Sequence, residues 1–178
     1  MRKGTAVRIA DLRWCYRSVR GSIGAAASVL TFDVVLSGSI LMSSIFCPIW
    51  ILVSLLSSAI HRPGWGLALA RILIPALTLW LVKANDAFQL SVAAANGQRI
   101  VAACEEYHAA NGRFPEKLDE LVPKNLNSVP VAKYCLGPGS RFFYTAYPHG
   151  NAKLAWEIVS PHYRRTYDFG TRNWGYLD

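Results

Sequence analysis

The sequence predicts an α+β membrane protein. It expects an N-terminal transmembrane hairpin, a long helix leaving it, and a small head carrying a three- or four-stranded antiparallel meander. Three observations predict this class. Charge is divided unevenly along the chain: residues 1–83 hold nine Lys/Arg against two Asp, while residues 84–178 hold ten against nine acids, within an overall net charge of +8. Long apolar runs fill the first half and are absent from the second. Runs alternating between apolar and polar residues, separated by Gly- and Asn-containing turns, fill the last forty or so residues. A basic flank of this kind marks the cytoplasmic side of a membrane segment. The high pI therefore gives no argument for nucleic acid.

The chain divides into a basic segment (1–21), an anchor (22–83) and a soluble head (84–178). The basic segment carries Arg2, Lys3, Arg8, Arg13, Arg17 and Arg20 among Ile9, Leu12, Trp14, Tyr16 and Val19. It reads either as a helix lying on the membrane surface or as a basic tail. It lacks the short apolar core and small-residue cleavage site of a secretory signal. The anchor is read as two spans, near 34–60 and 66–83, each near the roughly 20 residues that cross a bilayer. The stretch before Ser37-Gly38-Ser39 is long enough to hide a further short span. Asp33 sits at the edge of the first span. An Asp at the bilayer centre costs about 2.5–3.5 kcal/mol, which places this one at the head-group boundary or in a protein interior. Pro48 is a candidate kink. His61-Arg62-Pro63-Gly64-Trp65-Gly66 is a turn.

After Val82 the apolar run passes into mixed sequence with no loop signal. Ile100, Cys104, Tyr107 and Asn111 fall on one helical face, so the second span is expected to continue to Asn111 as one helix. At about 1.5 Å per residue that helix is roughly 70 Å long, with Pro75 and Asn96-Gly97 as candidate bends. Gly112 stops it, because glycine enters the left-handed region without penalty. Phe114-Pro115 holds the chain extended. A short helix over 116–122 ends at Pro123. Residues 141–147 and 153–160 then flank a Gly-containing loop as one hairpin, and 165–169 and 174–177 form a second. One face of that sheet needs cover, and the long helix is the amphipathic element able to give it.

Tyr107-x-x-x-Asn111-Gly112-Arg113-Phe114-Pro115, followed by Leu118-x-x-Leu121-Val122-Pro123 and an antiparallel sheet, resembles the type IV pilin and type II secretion pseudopilin family. The resemblance is by motif over about 99–130 and by architecture over about 65–178. It implies a pilin-like head on a membrane stem, with Tyr107, Asn111, Gly112, Phe114 and Pro115 as the fold motif. Neither Gly24 nor Gly38 is followed by the family's leader-cleavage pattern. The fold is therefore what the resemblance implies, rather than leader processing or filament assembly.

Cys104 and Cys135 form an even pair in the head, on elements expected to pack together. Bridged, they would stabilise it by roughly 3–4 kcal/mol and indicate an oxidising compartment. The alternative is two buried thiols. No CxxC, phosphate loop or dinucleotide fingerprint occurs, so no metal or other cofactor is expected. Cys104 and His108, one turn apart, are the one arrangement suggesting a nucleophile, with no orienting third group. Arg141, Tyr144, Trp156, Arg165 and Trp174 are read as a partner face of the aromatic-rich sheet.

The sequence thus points to a non-catalytic, multi-pass protein of the bacterial inner membrane, accessory to an envelope or secretion assembly. Its expected partners are the lipid bilayer and a protein, another copy included. No nucleic acid or small-molecule substrate is expected. The alternative is a membrane-tethered immunity or inhibitor protein, and the least favoured reading is a Cys/His-dependent enzyme. The head is expected in the periplasm, although two spans and a cytoplasmic N-terminus would return it to the cytoplasm.

Overall fold

The structure is a computed structural model, and it describes residues 19–61, 64–148, 150–159 and 163–177. The basic segment before Val19, the centre of the Arg62-Pro63 turn, His149 and His162 lie outside the described residues. Three helices among the described residues are long and apolar enough to cross a membrane: α1 (Val19–Ser37), α2 (Leu41–His61) and α3 (Trp65–Asn111). The expected pair of helices is thus corrected to three. The reason is Gly38. Its φ of 62° lies in the left-handed region and its N–H bonds to the Asp33 carbonyl, which ends α1 where the sequence reading carried one span onward. The last turns of α1, Thr31–Ser37, widen into a π-helix.

The three helices are packed with the large apolar side chains outward. α2 buries Ser43, Cys47 and Ser54, while Ile45, Phe46, Ile49, Leu52, Val53 and Leu56 on the same helix stay about half exposed. α3 repeats the pattern, burying Pro75 and Thr78 and turning Leu69, Leu73 and Leu77 outward. Small and weakly polar residues at the contact, with Leu and Ile outside, are what helices packing in lipid require. α2 packs against α3, and the end of α1 touches both.

α3 runs unbroken through Pro75 and Gly97 to Asn111. Gly112, at φ 71°, closes it by donating its N–H to the His108 carbonyl. A 3-10 turn at Leu118–Leu121 follows. The head sheet has four antiparallel strands in sequence order: β1 (Phe143–Ala146), β2 (Ala152–Val159), β3 (Tyr163–Asp168) and β4 (Asn173–Leu177). Leu154 pairs with Tyr167, and Tyr167 with Trp174, so these three share the face laid on α3. There Ile100, Ala103 and Cys104 of α3 meet Leu121, Ala152, Leu154, Tyr167 and Phe169. Trp156 makes a second cluster with Ala93 and Ala132, one step nearer the apolar bundle.

Gly97 is where helix and sheet approach most closely. A Cβ there would lie 2.9 Å from the Trp156 ring, and Trp156 cannot retreat because it is 2% exposed. Gly97→Ala should therefore lower head stability by about 1–3 kcal/mol through overpacking. Thermal unfolding of the full chain in detergent, followed by near-ultraviolet ellipticity, measures this. An unchanged midpoint would contradict the contact.

Candidate functional site

The most distinctive chemistry lies where the head meets the end of the bundle. Residues 131–140 cross the turn between α1 and α2, and polar side chains from five parts of the chain converge under them. Lys133 is the centre. It is 1% exposed, and its Nζ donates to the carbonyl of Gly38 at 2.8 Å and to that of Ile158 at 2.9 Å. One ammonium group thus ties the α1–α2 turn to strand β2. Burial pushes its pKa below the usual lysine value, while nearby Asp86, Cys135 and Glu157 pull the other way.

Asp33 is fully buried. Its Oδ1 accepts the N–H of Met42 at 3.0 Å and its Oδ2 that of Ser43 at 2.7 Å. It therefore caps the N-terminus of α2 from the preceding helix, satisfying two orphan donors and facing the positive end of the helix dipole. Of the two places the sequence allowed this acid, the structure shows the protein interior. Gln89, on α3, pairs with the backbone of Tyr134 in both directions, donating to its carbonyl at 3.2 Å and accepting its N–H at 2.8 Å. Asn96 donates to the Val131 carbonyl at 2.9 Å. α3 thus holds the crossing segment much as a neighbouring strand would.

Two glycines let the backbones meet. A Cβ on Gly137 would overlap the Leu36 carbonyl, and one on Gly38 would lie 2.8 Å from the Cys135 Sγ. Two buried carboxylate oxygens, Asp86 Oδ1 and Glu157 Oε2, have no hydrogen-bond partner, while the other Glu157 oxygen faces Arg164 Nη2 at 3.6 Å. Among the described residues no group of three or more His, Cys, Asp or Glu side chains could hold a metal ion. The seam can hold two parts of the protein together. It presents no activated nucleophile.

The residues expected from sequence fall elsewhere. Cys104 and Cys135 are both free thiols, which corrects the expected bridge. Cys104 is sealed in the head core, and Cys135 lies against Gly38 at the seam. Gln89 holds Tyr134 beside Cys135, so the two thiols are separated by fifteen residues of α3, about 22 Å. Burial pushes the Cys104 thiol up to about 12, and His108 stacks on Phe114 with centroids 4.3 Å apart. The two do not form a nucleophile pair. Tyr107 donates its hydroxyl to Glu120 at 2.8 Å, which holds that carboxyl below its usual range. Asn111 bonds back to the Tyr107 carbonyl. Phe114 packs on Phe169, and the buried Pro115 accepts the Tyr144 hydroxyl. This stretch is the frame of the head.

The expected partner face is not one surface. Trp156 is buried, Tyr144 and Trp174 pack against the core, and Arg141 is exposed. Arg165 sits 5.7–5.9 Å from the rings of Trp156, Trp174 and Tyr176. The Arg–aromatic set thus lies on the helix side of the sheet, because pairing of Trp156 with Arg165 and of Arg165 with Tyr176 puts all three on one face, with Tyr176 at its exposed margin. The sequence reading missed Lys133, Gln89 and Glu157. A lone lysine between apolar residues in 129–136 was the available signal. Compared with family models, curated proteins and solved structures, the chain finds no match.

Lys133→Ala should lower stability by about 2–4 kcal/mol, since it leaves two buried carbonyls without a donor and opens a cavity. Lys133→Met should recover packing but not the bonds, and so remain less stable than the native chain. Lys124→Ala, at an exposed lysine, should stay within about 0.5 kcal/mol. Denaturant unfolding of the full chain in micelles distinguishes the three. A Lys133→Ala protein as stable as the Lys124 variant would show that the seam is not structural.

Proposed function

We propose that the chain is a three-span protein of the bacterial inner membrane, with a pilin-like head on the periplasmic face that works by binding another protein of an envelope assembly. The observation supporting a binding role is the face of the sheet turned away from α3. The strand register lines up Phe143, Ala155, Thr166 and Gly175 across it. Ion pairs flank this row of mostly short side chains, with Lys153–Asp168 at 3.3 Å and Arg164–Glu157 at 3.6 Å. β4 is an edge strand with Tyr176 and Leu177 more than half exposed. A face of mostly short side chains bounded by an open edge suits an added strand or sheet from a partner.

The number of helices and the charge support this compartment. α1 and α3 run toward the head and α2 runs away from it, because the α1–α2 turn is bonded to Lys133. The start of α1, the end of α2 and the start of α3 therefore share the end opposite the head, and the sequence adjoining them holds Arg2, Lys3, Arg8, Arg13, Arg17, Arg20 and Arg62. The positive-inside rule assigns that end to the cytoplasm and the head to the other side. Three spans remove the conflict that two would create, and this support does not depend on a disulfide. The pilin-like reading rests on the stretch 107–115 and on one helix passing from an apolar stem onto an antiparallel sheet.

A reporter active on only one side of the membrane, fused after Asp178, should be active in the periplasm. A photo-crosslinking residue at Gly175 should give one discrete adduct in living cells, where the same residue at Leu77 should not. Activity of the reporter in the cytoplasm would overturn the topology. A chain that gives no adduct at Gly175 and purifies alone in mild detergent would overturn the binding role.

A further inference from the structure

Residues 131–137 turn large apolar side chains outward at the rim of the bundle. Val131 is 42% exposed, Tyr134 62% and Leu136 79%. The backbone beneath them is fixed. Gln89 holds Tyr134 from both sides, Lys133 is buried and bonded twice, and the Leu136 N–H donates to the Val35 carbonyl at 2.8 Å. Gly137 lies against the Leu36 carbonyl with no space for a side chain. The apolar groups are therefore presented by a rigid support.

Their level is set by α1. Its described residues, Val19–Ser37, number 19, which at about 1.5 Å per residue is enough to reach across most of the roughly 30 Å hydrocarbon core of a bilayer. Val35 lies two residues from its end, and Leu136 is bonded to Val35. Val35 and Leu36 are themselves 43% and 45% exposed, so Leu136 continues the outward apolar surface of the bundle. A groove of about 470 Å³ runs between Val34 and Val35 on one side and Tyr134, Cys135 and Leu136 on the other. Tyr163 and Tyr176, stacked with ring centroids 5.4 Å apart, lie at the end of the sheet nearest this rim. Tyrosine prefers the boundary between acyl chains and head groups.

We propose that residues 131–137 dip into the bilayer, with Leu136 among the acyl chains, Tyr134 at the head-group boundary and a lipid chain in the groove beside Val35. The head is then seated on the membrane surface rather than held above it on a stalk. The inference rests on the three-span reading, and its test separates the two.

Nitroxides are placed at Leu136→Cys, Leu77→Cys and Thr145→Cys in the full chain, in vesicles of phosphatidylethanolamine and phosphatidylglycerol. Cys15 and Cys135 are changed to Ser, while Cys47 and Cys104, both 0% exposed, are left in place. Collision with oxygen reports lipid, and collision with a nickel chelate reports water. The label at 136 should match the one at 77, with an oxygen-to-nickel ratio several-fold above that at the exposed Thr145. Tyr134→Cys is the second site should the Leu136 variant fail to fold, and it should give an intermediate ratio. A label at 136 that behaves like the one at 145, while 77 remains in lipid, overturns the inference and leaves the three spans standing. A label at 136 shielded from both reagents overturns it in favour of a protein contact. A label at 77 open to the nickel chelate overturns both readings.

Discussion

The Lys133 ammonium group bonds to two carbonyls, 95 residues back at Gly38 and 25 residues on at Ile158. Burying such a group costs several kcal/mol unless its charge and donors are met. Here two backbone dipoles meet two of its three protons, and Asp86 and Glu157 lie near enough to favour the charged form. The arrangement leaves little slack. Moving the head away from the α1–α2 turn would strand the charge, and the carbonyls with it. Around it Asp33 fixes the start of α2, Gln89 and Asn96 fix residues 131–134 on α3, and Gly38 and Gly137 remove the side chains that would keep the backbones apart. The relation of head to bundle depends on this one seam, since the remaining link is the single helix α3.

How much of this the sequence shows depends on the distance over which each signal acts. The four strands and the end of α3 are written in local pattern: alternation, a Gly after Asn, a Pro after Phe. They were legible to within a few residues. The third apolar helix was half legible. Gly38 carries the same left-handed stop as Gly112, but it is set in a long, mostly apolar stretch, where hydropathy outweighs a single glycine. The seam was not legible. Lys133, Asp86, Gln89 and Glu157 are spread over more than seventy residues, and each alone reads as an ordinary polar residue. The Cys104–Cys135 pair shows the converse failure. Two cysteines in one small head suggest a bridge, but Cys104 lies in the head core and Cys135 at the seam, at different levels of α3. The aromatic residues misled for a related reason, because strand register decides which face each one shares.

The arrangement gives the head a fixed position relative to the bundle, and the proposed binding role would gain from that. A domain on a flexible stalk loses orientational freedom when it binds, whereas one already fixed loses little. The row from Phe143 to Gly175 and the β4 edge are carried on a sheet whose other face is laid on α3, itself continuous with the bundle. Core packing from Ile100 to Phe169, the Trp156 cluster and the seam thus act in series to present one surface.

The central claim is that head and bundle form one rigid body. It is tested most directly by the distance distribution between two nitroxides, one at Ser44 near the start of α2 and one at Thr145 in β1, both exposed positions, in the full chain reconstituted in lipid nanodiscs. Pulsed dipolar spectroscopy should give a single narrow distance that broadens when Lys133 is replaced by Ala. A broad distribution in the native chain, unchanged by that substitution, would contradict the account.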